Sequence, residues 1–132
     1  MNTPVEVIEG EYPVRVEEQA LRPGSGGDGA HRGGLGFRRA YRVVGGSVTM
    51  TSMIERRVVP PYGLAHGGDG APFRITLNPG TARARDVKGK ETLTLADGDL
   101  VVIETSGGGG YGSPDDRPPA LAARDRLEGY VA

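Results

Sequence analysis

The residues of this chain that could do chemistry lie mostly in three glycine-rich stretches. The longest uninterrupted glycine run is in IETSGGGGYGSPDD, Ile103 to Asp116, where four glycines follow an apolar segment. Glycine loops after strands often cradle phosphate, but a P-loop also needs a lysine and a serine or threonine after its last glycine, followed by a helix. No lysine follows here and Ser113-Pro114 intervenes. A dinucleotide fingerprint would need a βαβ unit, which the pattern of this chain does not predict.

The same glycines have a second interpretation, which we favour. Residues without a Cβ let the backbone pass very close to another surface, either in this chain or in a partner. The residues predicted to serve close packing or assembly are Gly107, Gly108, Gly109, Gly110, Tyr111 and Gly112, with the Tyr111 ring as an anchor. Under this interpretation, valine at Gly108 or Gly109 impairs folding or assembly and not nucleotide binding.

Two histidines lie in the other glycine-rich stretches, Gly24–Gly36 and Gly63–Gly70, each with an aspartate close by. The four residues are Asp28, His31, His66 and Asp69. If the loops converge, these side chains are candidates for a metal site or an acid–base pair. Their spacing does not require it, so the simpler interpretation is that both histidines brace loops or face solvent. No nucleophile–base set is evident, and we assign no catalytic or cofactor-binding residue.

Composition and charge narrow the function classes. The net charge is −1 at pH 7, which predicts no strong attraction to nucleic acid or to an anionic membrane. There are no cysteines, so disulfides and thiolate metal sites are excluded. No apolar stretch approaches the roughly 18–20 residues that span a bilayer, and MNTPVEVIEGEYP has acids where a signal peptide is basic and apolar. We therefore expect a cytoplasmic protein whose partners include neither nucleic acid nor a membrane.

Strands are the main elements that the sequence predicts to position these loops. Val14 and Val16 alternate with charged residues, as in a half-buried strand. Gly45-Gly46 predicts a two-residue hairpin turn between FRRAYRVV and SVTMTSMI. The cross-strand pairs predicted by this register are Val43 with Val48, Tyr41 with Met50, and Phe37 with Ile54. These six side chains would then share one face of the hairpin.

The second half of the chain predicts further strands and one helix. FRITLNPG alternates, TARARDV and ETLTLA predict a hairpin around KGK, and LVVIET is apolar on both faces, as in a buried central strand. Residues 118–128 form the one convincing helix, which we expect to dock through Leu121, Leu127 and either Tyr130 or Val131. About seven short strands and a C-terminal helix predict a mainly β fold, an antiparallel sandwich or barrel-like structure, as a single domain over residues 1–132.

Four blocks stand in order along the chain: NTPVEVIEGEYPVRVEEQALRPGSGGDGAHRGGLG, PPYGLAHGGDGAP, DGDLVVIETSGGGGYGSP and ARDRLEGYV. Together they resemble the C-terminal part of the hydantoinase B/oxoprolinase family over essentially the whole chain. Members of that family are large subunits, or large halves, of ATP-dependent enzymes that act on cyclic amides such as N-methylhydantoin and 5-oxoproline. Relatives of these enzymes carboxylate acetone or acetophenone.

The resemblance implies a partner of the hydantoinase A type, which binds ATP, and places any metal site upstream of this segment. ATP and a divalent metal are therefore expected for the full assembly, and no cofactor is expected in this chain. Met1 stands directly before the first family block. We expect a split C-terminal subunit, a remnant or a fragment that lacks the upstream part of hydantoinase B and is inactive alone, with self-association left open. The alternative is a free-standing β-sandwich that binds a ligand through its glycine-rich loops.

Overall fold

The computed structural model describes residues 3–131, in which seven strands and two α-helices alternate with long loops. In chain order the elements are α1 (Val5–Glu11), β1 (Val14–Arg22), β2 (Gly36–Val43), β3 (Val48–Met53), β4 (Arg74–Leu77), β5 (Arg85–Asp86), β6 (Lys90–Leu95), β7 (Leu100–Glu104) and α2 (Pro119–Leu127). A short 3₁₀ turn, Pro114–Asp116, precedes α2. The predicted mainly β class with about seven strands is confirmed. The strands form open antiparallel sheets, and the described residues make no closed barrel.

The larger sheet has five strands in the order β1-β2-β7-β4-β5. Strand β7 is central, as its apolar sequence predicts, and Val101 and Val102 are both buried. Strand β1 lies at an edge, and its residues alternate between half-buried and exposed. This alternation is typical of a strand with one face toward solvent.

The predicted hairpin at Gly45-Gly46 is wrong, because β2 and β3 belong to different sheets. Strand β3 pairs with β6 in a separate two-stranded antiparallel sheet, from Val48 opposite Leu95 to Met53 opposite Lys90. The backbone after β2 is held elsewhere: the Gly45 amide donates to the Asp97 carboxylate at 2.7 Å. The local turn signal therefore does not determine the strand pairing here. The Gly45 amide instead bonds to a residue 52 positions away along the chain.

The side chains assigned to that hairpin face do come together, although not as ladder pairs. Four of them, Tyr41, Val43, Val48 and Met50, line one apolar cavity of about 220 Å³. The second predicted hairpin is also wrong, since β5 pairs with β4 and β6 pairs with β3. The alternation of apolar residues thus identified the buried faces, while the strand partners depended on distant segments.

Both helices differ from what the sequence predicts. Helix α1 was not predicted, and it buries none of its residues. Helix α2 lies within the predicted range 118–128, but its expected docking through leucines is wrong. Leu127 is 88% exposed and Leu121 is 43% exposed, whereas Asp125 is the buried residue of the helix. A charged residue therefore anchors this helix.

The chain groups into two compact units, and the prediction of a single domain stays a prediction. The first unit comprises residues up to 19, 39–54 and 75–103. It contains every buried hydrophobic residue of the described chain: Ala40, Val43, Ile75, Val87, Leu93, Leu95, Val101 and Val102. The second unit comprises residues 20–38, 55–74 and 104 onward, and its buried polar or charged residues are Ser25 and Asp125.

Candidate functional site

The three glycine-rich stretches converge in the second unit, where they form what we call the glycine bundle: residues 24–36, 61–71 and 105–112. Backbone hydrogen bonds join all three segments. The Gly27 amide donates to the Gly108 carbonyl at 2.9 Å, and the Gly108 amide donates to the Gly34 carbonyl at 2.8 Å. The Gly107 amide donates to the Ala71 carbonyl at 3.1 Å. The bundle is therefore held by main-chain groups more than by side chains.

Ser25 is the buried polar residue at the base of the bundle, only 1% exposed. Its hydroxyl donates to the Arg22 carbonyl at 2.5 Å and accepts from the Gly36 amide at 2.7 Å. Its own carbonyl accepts from the Ala71 amide at 2.7 Å. The serine hydroxyl is buried and its proton is committed to the Arg22 carbonyl, which makes it poorly placed to act as a nucleophile.

The segments approach so closely that most of the contacting residues must be glycine. A Cβ on Gly107 would lie 1.8 Å from the Ser25 carbonyl oxygen, and one on Gly109 would lie 2.0 Å from the Tyr62 carbonyl oxygen. Gly108 differs from its neighbours, because the nearest atom to its Cβ would be the Gly34 nitrogen at 3.1 Å. The six residues singled out from the sequence therefore lie in one region, but they differ in how much room a side chain would have.

The backbone amides of the glycine run do not fit a phosphate cradle. Such a cradle needs several N–H groups free to point at the anion. Here five amides already donate to carbonyls of the bundle: those of Gly107, Gly108, Gly110, Tyr111 and Gly112. The residues of this chain therefore do not fit the phosphates of ATP at this loop.

The four loop residues proposed as metal candidates lie in the same bundle but do not form a ligand set. Among residues 3–131, no group of three or more histidine, aspartate or glutamate side chains is placed to hold a metal ion. The Asp69 carboxylate accepts from the Gly63 amide at 3.0 Å and so braces its own loop. His66 and Asp28 are exposed. A divalent metal does not fit the donor sets of this part of the chain.

Leu64, Tyr111 and His31 form an exposed row across the bundle. Tyr111 pairs with His31 in an antiparallel bridge and with Leu64 in a parallel bridge, so the three residues are lateral neighbours. Their rings and side chains stay open: Leu64 and Tyr111 are each 57% exposed, and the ring centroids of His31 and Tyr111 are 6.2 Å apart. Tyr111 therefore does not anchor its own loop by burial; it presents an aromatic surface.

The turn that follows Leu64 is strained. The Gly67 amide donates to the Leu64 carbonyl at 2.9 Å, and the two residues between them, Ala65 and His66, have φ of 50° and 72°. Non-glycine residues in this left-handed region cost about 1 kcal/mol or more each. Strain of this kind persists where the surrounding backbone fixes the turn and frequently marks a functional surface.

An arginine cluster missed by the sequence reasoning ties α2 to the bundle. Arg117 donates to the Asp125 carboxylate and to the Ala30 carbonyl, and Arg32 Nε lies 3.2 Å from the same carboxylate. Burial by itself would raise the pKa of Asp125, but the hydrogen bond from Arg117 and the close positive charges of Arg117 and Arg32 outweigh it and hold the pKa below its usual value. The Arg32 guanidinium also lies over the Tyr130 ring, 5.3 Å from its centroid.

The sequence of this chain matches a known protein family. The sequence profile described as hydantoinase B/oxoprolinase matches residues 1–114. This chain belongs to the hydantoinase B/oxoprolinase family. The resemblance noted from the four sequence blocks is thereby confirmed.

Several family relatives match nearly the whole chain but are much longer than it. An uncharacterized protein of Methanocaldococcus jannaschii is 45% identical over 95% of this chain and 22% of its own length. The 5-oxoprolinase of Saccharomyces cerevisiae is 38% identical over 84% of this chain and 9% of its own. The caprolactamase subunit beta of Pseudomonas jessenii is 34% identical over 100% of this chain and 23% of its own. The chain thus spans less than a quarter of the length of these relatives.

Solved structures show the same fold within larger proteins. The crystal structure of the ATP-dependent caprolactamase from Pseudomonas jessenii superposes with a TM-score of 0.84 and 26% identity, covering 100% of this chain and 24% of that one. A nucleotide-free acetone carboxylase superposes with a TM-score of 0.78 and 24% identity over 98% of this chain and 21% of that one, which shows the fold alone. Among the described residues, neither helix is long and apolar enough to cross a bilayer.

Proposed function

We propose that this chain is an assembly module of a hydantoinase-B-type, ATP-dependent enzyme acting on cyclic amides, or of a related carboxylase, and that it is not catalytic alone. The observation that carries the proposal is the exposed row Leu64–Tyr111–His31 on a backbone that admits almost no side chains. The match to caprolactamase over the whole chain supports the enzyme class. The donor sets of the glycine bundle support placing ATP and a metal elsewhere in the assembly.

The row has the properties of a docking surface. Exposed aromatic and aliphatic side chains held on rigid backbone lose little conformational entropy when a partner covers them. Tyr62 is also 64% exposed, and its carbonyl contacts the Gly109 position, two residues before Tyr111. Since the row carries no acid or permanent cation, its partner surface is expected to be apolar and aromatic rather than charged. We assign that surface to the remaining part of a hydantoinase-B-type enzyme, supplied by the same polypeptide or by another.

The partners proposed for the assembly are the upstream part of hydantoinase B and an ATP-binding subunit of the hydantoinase A type. The name of one relative, caprolactamase subunit beta, shows that this relative works as a subunit. For the present chain, co-expression with the hydantoinase-type polypeptides of its own genome tests the partnership. The complex is isolated through a tag on this chain, and its components are identified by mass spectrometry.

Activity and assembly are measured together on that complex. Hydrolysis of 5-oxoproline, hydantoin or caprolactam with ATP is expected in the complex and not with the purified chain. A double variant, Leu64→Ser with Tyr111→Ser, is expected to lose co-purification while retaining its circular dichroism spectrum. Met53→Ser serves as the matched control, because Met53 is 82% exposed but lies in the other unit. Hydrolysis by the chain alone, or unchanged co-purification of the double variant, would contradict the proposal.

A further inference from the structure

A cavity of about 280 Å³ lies beside the arginine cluster, between the Gly24–Gly36 loop, the Pro114–Asp116 turn and α2. Its lining is unusual in carrying five ionisable side chains: Asp28, Arg32, Arg117, Asp125 and Arg126. All five belong to the second compact unit. The cavity is separate from the exposed row that the proposed assembly uses.

The charges around this cavity do not balance. Three guanidinium groups face two carboxylates, which leaves one positive charge in excess. The imbalance is sharper in its less exposed part, where the Asp125 carboxylate is shared by Arg32 and Arg117. The side chains of both arginines are 17% exposed, while Asp28 is exposed and its charge is screened by solvent.

The two arginines also have unused donor capacity. Within the described chain, the buried Nε–H groups of Arg32 and Arg117 have no hydrogen-bond acceptor. Arg32 Nε lies near the Asp125 carboxylate as an ion pair, but it does not meet that oxygen in hydrogen-bonding geometry. Buried guanidinium groups with incomplete hydrogen bonding and excess charge favour an added oxygen acceptor, because an N–H donor left without a partner away from water is unfavourable.

We propose that this cavity binds a small oxyanion, a carboxylate or a phosphate, held by Arg32 and Arg117 with Arg126 at the rim. Guanidinium groups bind both anions through paired N–H donors, so the shared chemistry is two oxygens on one centre. Asp125 keeps the two deeper guanidinium groups in place and leaves the excess positive charge for the ligand. The site is independent of the glycine run, in which five amides already donate to carbonyls of the bundle.

Thermal unfolding of the whole chain tests the site, with potassium phosphate and potassium acetate as separate probes at constant ionic strength set with potassium chloride. A ligand that binds only the folded state raises Tm, and above Kd the rise grows with the logarithm of the ligand concentration. Arg126→Gln is expected to weaken binding by about tenfold, the equivalent of one charge-assisted hydrogen bond. Arg124→Gln is the matched control, because Arg124 lies on the same helix but pairs with Glu128.

The outcomes separate cleanly. A logarithmic rise of Tm with phosphate alone identifies phosphate as the ligand chemistry, and one with acetate alone identifies a carboxylate. Either result supports the site if Arg126→Gln reduces the rise and Arg124→Gln does not. Arg117→Gln should abolish the rise, and its circular dichroism spectrum shows whether the fold persists. No logarithmic rise of Tm with either anion, or equal rises in the Arg126 and Arg124 variants, would overturn the proposal without bearing on the assembly function.

Discussion

Alanine at Gly109 is the sharpest test of the glycine bundle. The new Cβ would lie 2.0 Å from the Tyr62 carbonyl oxygen and 2.9 Å from the Gly63 nitrogen, and both are backbone atoms that cannot rotate away. Ordinary van der Waals contact begins at 3.4 Å, so the segment at Tyr62 must retreat by about 1.4 Å, the difference between 3.4 and 2.0.

That retreat breaks hydrogen bonds beside it. The Leu64 amide donates to the Gly110 carbonyl at 2.9 Å, and the Gly112 amide donates to the Leu64 carbonyl at 3.0 Å. Lengthening either by about 1.4 Å takes it beyond hydrogen-bonding distance. Each lost hydrogen bond costs about 1 kcal/mol, and more when its groups stay buried, so Gly109→Ala should lower the free energy of unfolding by about 2–4 kcal/mol. This is a large part of the roughly 5–15 kcal/mol that stabilises an ordinary domain.

Neighbouring glycines provide matched controls for this variant. Gly108→Ala meets its first neighbour at 3.1 Å, and Gly34→Ala meets nothing within 4 Å. All three changes restrict the unfolded chain equally, so that effect cancels when the variants are compared. We expect Gly108→Ala to lower the free energy of unfolding by about 1 kcal/mol or less, and Gly34→Ala to leave it unchanged or raise it slightly.

Urea unfolding followed by circular dichroism measures these differences as shifts of the midpoint at constant slope. Gly109→Ala should also lower Tm by about 10 °C. If Gly109→Ala and Gly108→Ala unfolded at the same urea concentration, the close backbone approach would not determine stability, and the reasoning from the bundle would be refuted.

Three further changes test other parts of the chain by the same urea titration. Asp125 has a lowered pKa when folded, so its stabilisation is present above the unfolded pKa of about 3.9 and is lost as the pH falls through the folded pKa; between pH 7 and pH 3 the wild type should lose more stability than Asp125→Asn. Ala65→Gly should raise the free energy of unfolding by about 0.5–1 kcal/mol, because it relieves the φ of 50°. A lower free energy of unfolding would show that Ala65 is not strained. Asn78→Gly relieves a φ of 47° but removes the buried hydrogen bonds that the side chain makes with Asp99 and Leu100. The free energy of unfolding should therefore fall by about 2 kcal/mol, and a rise would show that these hydrogen bonds do not stabilise the fold.

Local patterns predicted the elements of this fold better than their partners. The apolar run of β7 identified a central strand, because a strand covered on both faces has no polar alternation. The alternation around Gly45-Gly46 likewise identified side chains that share a cavity. Yet the turn signal assigned β3 to the wrong strand: β3 pairs with β6, and the Gly45 amide donates to the Asp97 carboxylate. Strand partners in this chain depend on contacts that are distant along the sequence.

The arginine cluster shows a different limit of sequence reasoning. Arg32 and Arg117 are separated by 84 intervening residues, and each stands in a stretch that reads as an ordinary loop. Only the fold of the bundle brings both to Asp125. The helix containing Asp125 has a scattered apolar pattern, and the leucines expected to dock it are exposed. The sequence signal for this role of Asp125 was the absence of a continuous apolar stripe on its helix, which left a polar residue to contact the rest of the protein.

The way in which the second compact unit is held together supports the proposed assembly. The buried hydrophobic residues of the described chain all lie in the first unit. The second unit relies on main-chain hydrogen bonds, each worth about 1 kcal/mol net, while ordering glycine costs more conformational entropy than ordering any other residue. Several of its larger apolar side chains are exposed, among them Tyr62, Leu64 and Tyr111. Covering them would add roughly 25 cal/mol for each Å² removed from water, so the proposed assembly would supply the burial that this unit lacks.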